Sequence, residues 1–237
     1  MGLNLMALPQ VSIIAGWLLG IPVLAVAALV APWPRLKENL AAHIWCGGVL
    51  LLLLLWNVRA EFPGVASVQL LGLTAYTLLV GPALAVAGSA LALVIALALQ
   101  HGAWLNAGAA YVAVALAPIG VTWLMLEVAK RFLPPSLIVH VLVEGWLGGA
   151  LSLTVFEVVH RVLAPVAPQA MAAVRIDTIA AVACLASGEA MLTGMVLTLF
   201  VIHYPDAVVS LPISELAAGR IPPTNRPRPK RSMTNAQ

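Results

Sequence analysis

Ionisable residues inside long apolar stretches are the first candidates for a functional role in this sequence. Glu189 lies in Ser187-Gly188-Glu189-Ala190, near the middle of the last apolar run. A charge at the centre of a bilayer costs on the order of a few kcal/mol, so such a residue normally faces the interior of a helical bundle. Two roles stay open for Glu189. It acts in substrate passage or conformational switching, or it is a protonated side chain that holds neighbouring helices together by hydrogen bonds.

Three further pairs combine histidine with glutamate or cysteine at helical spacing: His140 with Glu144, Glu157 with His160, and His43 with Cys46. Glu-x-x-His pairs and soft His/Cys pairs bind metals when a second pair faces them. Glu157 and His160 lie beside Arg161, near the end of their apolar run. This position favours a pair that is exposed to water at the rim of the bundle. The His43 pair has no matching second pair, so the spacing assigns no set of metal ligands.

Motifs of soluble enzymes are absent from the sequence. It contains no glycine-rich phosphate loop and no His-Glu-x-x-His or other catalytic spacing. Cys46 and Cys184 form no CxxC pair, and both are typical of small core residues. We therefore predict a protein that is no enzyme, has no ATPase site of its own and needs no cofactor. The classes of protein that remain are a transporter component, a channel and an assembly protein.

The composition predicts the kind of secondary structure on which these residues lie. Of 237 residues, 62% are hydrophobic and 9% are charged, and the mean hydropathy is +1.02. Soluble domains carry about 25% charged residues, so a soluble globular protein is excluded. Apolar runs of about 20 residues match the length with which an α-helix crosses a bilayer. Continuous runs such as Gly47 to Trp56 lack the alternation of barrel strands. The sequence predicts an all-α integral membrane protein.

Seven apolar runs predict about seven transmembrane helices: Val11 to Ala31, Leu40 to Val58, Ala66 to Gly81, Ala83 to Gln100, Ala107 to Ala129, Leu137 to His160 and Ile176 to Ile202. The third and fourth runs form one apolar stretch broken only at Gly81-Pro82, so two spans compete with one kinked helix. The third run would cover only about 24 Å, and we expect it to be buried among its neighbours or to lie in thin local bilayer.

The distribution of Lys and Arg orients the predicted spans. With seven spans and an outside N-terminus, nine of the twelve Lys and Arg residues fall in cytoplasmic segments, as the positive-inside rule requires. A single crossing by residues 66–100 would move Arg35 and Lys37 outside. We predict a multi-pass protein of the cell inner membrane with its N-terminus outside, its C-terminus cytoplasmic and its first span retained.

Composition also divides the chain into two parts. Residues 1–211 are predicted to form the polytopic membrane domain, and residues 212–237 a basic, Pro-rich tail. The tail cannot bury enough apolar surface to fold, so we predict a disordered cytoplasmic segment. It contacts anionic lipid headgroups or docks a partner subunit. We expect no nucleic-acid partner.

Deleting Arg220 to Gln237 is therefore expected to leave the membrane fold intact, because this segment lacks core residues. The measurement compares membrane insertion and melting temperature of the truncated and full-length chains. Loss of insertion in the truncated chain would contradict the disordered tail.

Two stretches of sequence carry a family resemblance. The first is Phe62-Pro63-Gly64-Val65-Ala66-Ser67-Val68-Gln69-Leu70-Leu71-Gly72, followed by Leu79-Val80-Gly81-Pro82. The second is Gly188-Glu189-Ala190-Met191-Leu192-Thr193-Gly194, continuing to Tyr204-Pro205-Asp206. From about Pro9 to Asp206, the chain resembles the membrane permease, or substrate-capture, subunit of the cobalt and nickel energy-coupling-factor transporters, a branch of ABC importers.

The resemblance implies capture of a transition metal ion from the outside, with separate ATPase subunits and a transmembrane coupling subunit as partners. In typical members the N-terminal amine, a second-position His and a His at the start of the third span bind the metal. Gly2 and Gln69 stand at the two His positions here, and Gly108-Ala109-Ala110 stands where Gly-Ala-Asn is expected. An amide is a poorer ligand for nickel or cobalt than imidazole. This divergent member is thus expected to keep the scaffold and to lack the usual metal ligands.

Polar residues inside or near the outer ends of the spans are the candidate substrate-binding residues: Gln69, Asn106, His101, His43 and Glu189. The leading hypothesis is a substrate-capture subunit of an energy-coupling-factor type importer. The alternative is a membrane scaffold or assembly factor without transport, in which these groups only hold helices together.

Overall fold

A bundle of apolar helices surrounds one short, buried helix in the computed structural model of the chain. The structure describes residues 8–57, 69–99, 103–133, 136–163, 176–204 and 208–210. Within these ranges every regular element is a helix. The candidate ligand His101 and the predicted tail beyond residue 211 lie outside the described residues, so the domain division stays a prediction.

Seven helices follow one another along the chain: α1 (Gln10–Val30), α2 (Asn39–Asn57), α3 (Leu73–Val80), α4 (Pro82–Leu99), α5 (Trp104–Phe132), α6 (137–163) and α7 (Ile176–His203). All except α3 are long and apolar enough to cross a membrane. The all-α integral membrane class is thereby confirmed, and the orientation of the termini stays a prediction. Wider π-helical turns interrupt α5 at Val112–Leu116 and α6 at His140–Leu147.

The third predicted span contains a helix of only eight residues. Helix α3 covers about 12 Å at 1.5 Å per residue, and all eight of its residues are buried. Burial among neighbours was expected, but the helix begins seven residues later than the predicted run. Gly72 (φ 67°) and Gly81 (φ 88°) bound it, in a backbone region that glycine enters without a Cβ clash. Gly81 separates α3 from α4, so the two are distinct helices.

The side chain of Tyr76 in α3 fills the space between α2 and α4. A Cβ atom at Gly48 of α2 would lie 2.2 Å from the Tyr76 ring, and one at Gly88 of α4 would lie 2.0 Å from its hydroxyl oxygen. The hydroxyl donates a hydrogen bond to the Trp45 carbonyl at 3.2 Å. Both glycines are thus required for the ring to occupy this space.

Helices α1 and α5 pack backbone against backbone. A Cβ atom at Gly16 would lie 2.3 Å from the Ala109 nitrogen. The Trp17 indole donates to the Leu105 carbonyl at 3.0 Å, and Leu8, just before α1, is buried against Ala109 and Ala110. The chain therefore enters α1 beside the Gly-Ala-Ala stretch that the sequence singled out.

Candidate functional site

Glu189, at the middle of α7, places its carboxylate on the N-terminal end of α3. Its Oε2 accepts a hydrogen bond from the Leu71 N–H at 2.9 Å, and its Oε1 accepts one from the Gly72 N–H at 2.7 Å. The side chain is completely buried. Successive backbone N–H groups form an anion cradle, and the first N–H groups of a helix lack partners within it. We call this arrangement of Glu189 with the two amides the Glu189 clamp.

A second helix holds the same segment from the other side. The Trp56 indole of α2 donates to the Leu71 carbonyl at 3.2 Å, and both residues are fully buried. Leu71 thus has its N–H bound to α7 and its carbonyl bound to α2. The approach to α3 is fixed by tertiary hydrogen bonds among fully buried groups, which water does not reach.

Gln69 lies two residues before this doubly held segment. Only 7% of its surface is exposed, and its Oε1 has no hydrogen-bond partner. Among the described residues, Thr193 Oγ1 is the other buried side-chain oxygen in this condition. Thr193 lies one turn after Glu189 on the same face of α7. Buried polar atoms are normally paired, so these two oxygens are exceptions among the described residues.

The remaining sequence candidates do not gather at this point. His43 is exposed on α2, and its Nδ1 contacts the carbonyl of Asn39 in its own helix. Its neighbour Cys46 is exposed as well. Asn106 is buried at the start of α5. The structure thus gives Gln69 and Glu189 a common segment and leaves His43 on the outer surface of the bundle.

The two pairs of histidine and glutamate both lie on α6. His140 and Glu144 are buried and contact each other through Nδ1 and Oε2, and Glu157 and His160 are half-buried near the end of α6. No three His, Cys, Asp or Glu residues within the described ranges lie close enough together to hold a metal ion. Within the described ranges, the segment before α3 therefore carries the Gln69 amide and no cluster of imidazoles.

Sequence reasoning missed two parts of this site. Thr193 carried a readable signal, because it follows Glu189 at position i+4, on the same helix face, within the second family stretch. The Leu71 and Gly72 amides carried none, because backbone donors are present at every residue other than proline.

Comparison with known proteins places this geometry in a family. The family model CbiM, described as "Cobalt uptake substrate-specific transmembrane region", matches residues 6–207. A crystal structure described as a truncated transition metal transporter superposes with a TM-score of 0.64 at 18% identity, covering 83% of this chain and 96% of that one. This similarity concerns the fold. No curated protein matches the chain. Because the family model spans the whole bundle, the chain belongs to the CbiM family of cobalt uptake transmembrane proteins.

Proposed function

We propose that the chain is the substrate-capture subunit of an energy-coupling-factor type importer for a transition metal ion such as cobalt or nickel. The observation that carries this proposal is the family match over residues 6–207, which takes in every described helix and ends before the basic tail. Separate ATPase subunits and a transmembrane coupling subunit would supply the energy, because the sequence has no phosphate-binding loop.

The Glu189 clamp supports a role in capture. It holds the segment that presents Gln69, and the Gln69 oxygen is buried without a partner. A binding group held by hydrogen bonds from two helices loses little further freedom when a substrate arrives. The clamp itself uses both carboxylate oxygens, so we assign Glu189 to positioning this segment.

Uptake in cells tests the proposal. The chain is expressed with and without an ATPase pair and a coupling subunit, and accumulation of radioactive cobalt and nickel is measured. We expect uptake only with the full set, and we expect the ATPase pair to co-purify with the chain in mild detergent. A stable partner without ATPase activity, combined with no metal uptake, would instead support a scaffold or assembly factor.

The purified chain alone is expected to bind nickel and cobalt much more weakly than a typical family member. Gln69 offers an amide oxygen where an imidazole is usual, and Gly2 provides no side-chain ligand. For the same reason, Gln69→His alone is not expected to restore tight binding. Equilibrium binding of each metal measures this, with Gln69→Asn as the control that keeps an amide. Stoichiometric, tight binding that is abolished by replacing His43 or His101 would contradict the prediction.

A further inference from the structure

The C-terminal end of α3 is also held by groups distant in sequence. Leu78 is four residues before Pro82, which has no N–H group to donate to the Leu78 carbonyl. Ser210 fills that role, because its N–H and its hydroxyl both donate to the Leu78 carbonyl, at 3.2 and 2.8 Å. The Val209 N–H donates to the Leu79 carbonyl at 3.2 Å. We call these bonds the Ser210 anchor.

His140 supports the anchor from α6. Its Nε2 lies 3.4 Å from the Ser210 hydroxyl oxygen, and its Nδ1 contacts the Glu144 carboxylate. His140 is 2% exposed and lies in the π-helical segment of α6. The imidazole is thus fixed by Glu144 in the position from which it reaches Ser210.

One stretch of chain therefore holds both ends of α3. The Glu189 clamp comes from the middle of α7, and the Ser210 anchor comes from the residues that follow α7. At the two ends of α3, Gly72 and Gly81 have positive φ angles and connect it to the segment carrying Gln69 and to α4. Hydrogen bonds thus attach α3 to α7, while glycine joints attach it to its chain neighbours.

A pocket adjoins the anchor. Its volume is about 110 Å³, and Leu79, Val80 and Val209 lie in its wall together with the charged residues Arg35 and Glu38. Space that side chains leave unfilled therefore lies beside the carbonyl end of α3.

We propose that Ser210 is a positioning residue for uptake, acting through α3 on the segment that carries Gln69. Because both ends of α3 are held by the α7 chain, a displacement at the Ser210 anchor is transmitted to the Glu189 clamp. In the predicted orientation, the anchor faces the cytoplasm, where the ATPase subunits would bind. This role rests on the proposed function. It adds a path by which a displacement at the partner subunits reaches the segment that carries Gln69.

Hydrogen exchange tests the coupling without substrate or partners. In the purified full-length chain, Ser210→Ala is expected to speed exchange of the Leu71 and Gly72 amides, at the far end of α3, by on the order of fivefold, the effect of one lost hydrogen bond. Ser210→Thr keeps the hydroxyl and is expected to exchange like the wild type. The matched control is Ser187→Ala, since that hydroxyl donates to the Ala183 carbonyl of its own helix. Faster exchange confined to residues 78–80 and 208–210 would overturn the coupling.

Cobalt uptake with the partner subunits tests the positioning role. We expect Ser210→Ala to lower the maximal uptake rate several-fold while the half-saturating concentration and the melting temperature stay near those of the wild type. Ser210→Thr is expected to restore the rate. A loss of uptake that follows a fall in melting temperature, or that Ser210→Thr fails to rescue, would overturn the role. If the wild type takes up no metal, the proposed function fails, and hydrogen exchange still decides the coupling.

Discussion

Glu189→Ala is expected to destabilise the purified chain by about 3 kcal/mol or more. The substitution removes the acceptor of two buried backbone N–H groups, those of Leu71 and Gly72. Each buried donor left without a partner costs about 1–3 kcal/mol. Thermal unfolding in detergent measures the loss, and metal uptake is expected to fall with it because the Gln69 segment is released.

The Glu189→Gln substitution keeps the shape of the side chain but removes one of its two hydrogen-bond acceptors. The amide keeps one oxygen, but its NH₂ group meets a backbone N–H, so we expect a smaller loss of about 1–2 kcal/mol and reduced uptake. Glu127→Gln is the matched control, because Glu127 is exposed and its 3.3 Å contact with Lys130 is a surface ion pair. Such pairs contribute about 1 kcal/mol at most. Equal melting temperature and equal uptake for wild type and Glu189→Gln would remove both roles of the carboxylate.

Gly16→Ala is expected to separate α1 from α5. The added Cβ would lie 2.3 Å from the Ala109 nitrogen and 2.5 Å from its Cα. Because these are backbone atoms, a rotamer change is unable to relieve the clash, and the two helices must move apart. Overpacking of this kind costs about 1–3 kcal/mol, occasionally more. Melting temperature and the yield of folded protein in detergent are the measurements.

Two glycines provide controls for Gly16. Gly20→Ala lies one turn further along α1, where the new Cβ would lie 3.5 Å from the Tyr111 ring, an ordinary contact. Gly47→Ala points into open space on α2 and is expected to be neutral or slightly stabilising, since alanine favours helix. If Gly16→Ala melts like these two variants, the α1–α5 contact is looser than the geometry indicates.

The membrane helices could be predicted because one physical requirement dominates them. Hydrocarbon demands about 20 apolar residues, and the runs that became α1, α2 and α7 satisfy it with few charges. The start of α3 could not be predicted in this way. Residues 66–80 are mostly apolar, and such a composition suits a helical and an extended segment equally. Gly72 and its hydrogen bond to Glu189, 117 residues away, determine where the helix begins.

Some residues of the site could likewise be predicted from the apolar pattern, and others could not. Glu189 could be singled out because a carboxylate in an apolar run requires partners, and the structure supplies them. His43 shows the limit: α2 is apolar on every side, so periodicity gives no sign of which face meets the interior. Ser210 could not be found at all, because it follows the last apolar run and its partner Leu78 is 132 residues earlier.

The Glu189 clamp also dictates an order of events during synthesis. Leu71 is translated 118 residues before Glu189, which corresponds to about 6 to 24 s at the usual rates of translation. Throughout that interval the Leu71 and Gly72 amides have no native acceptor, and each unpaired group in hydrocarbon costs several kcal/mol. Helix α3 therefore lacks the partner that fixes its N-terminal end until Glu189 has been made. We expect its docking to follow the insertion of α7, as a late step in assembly.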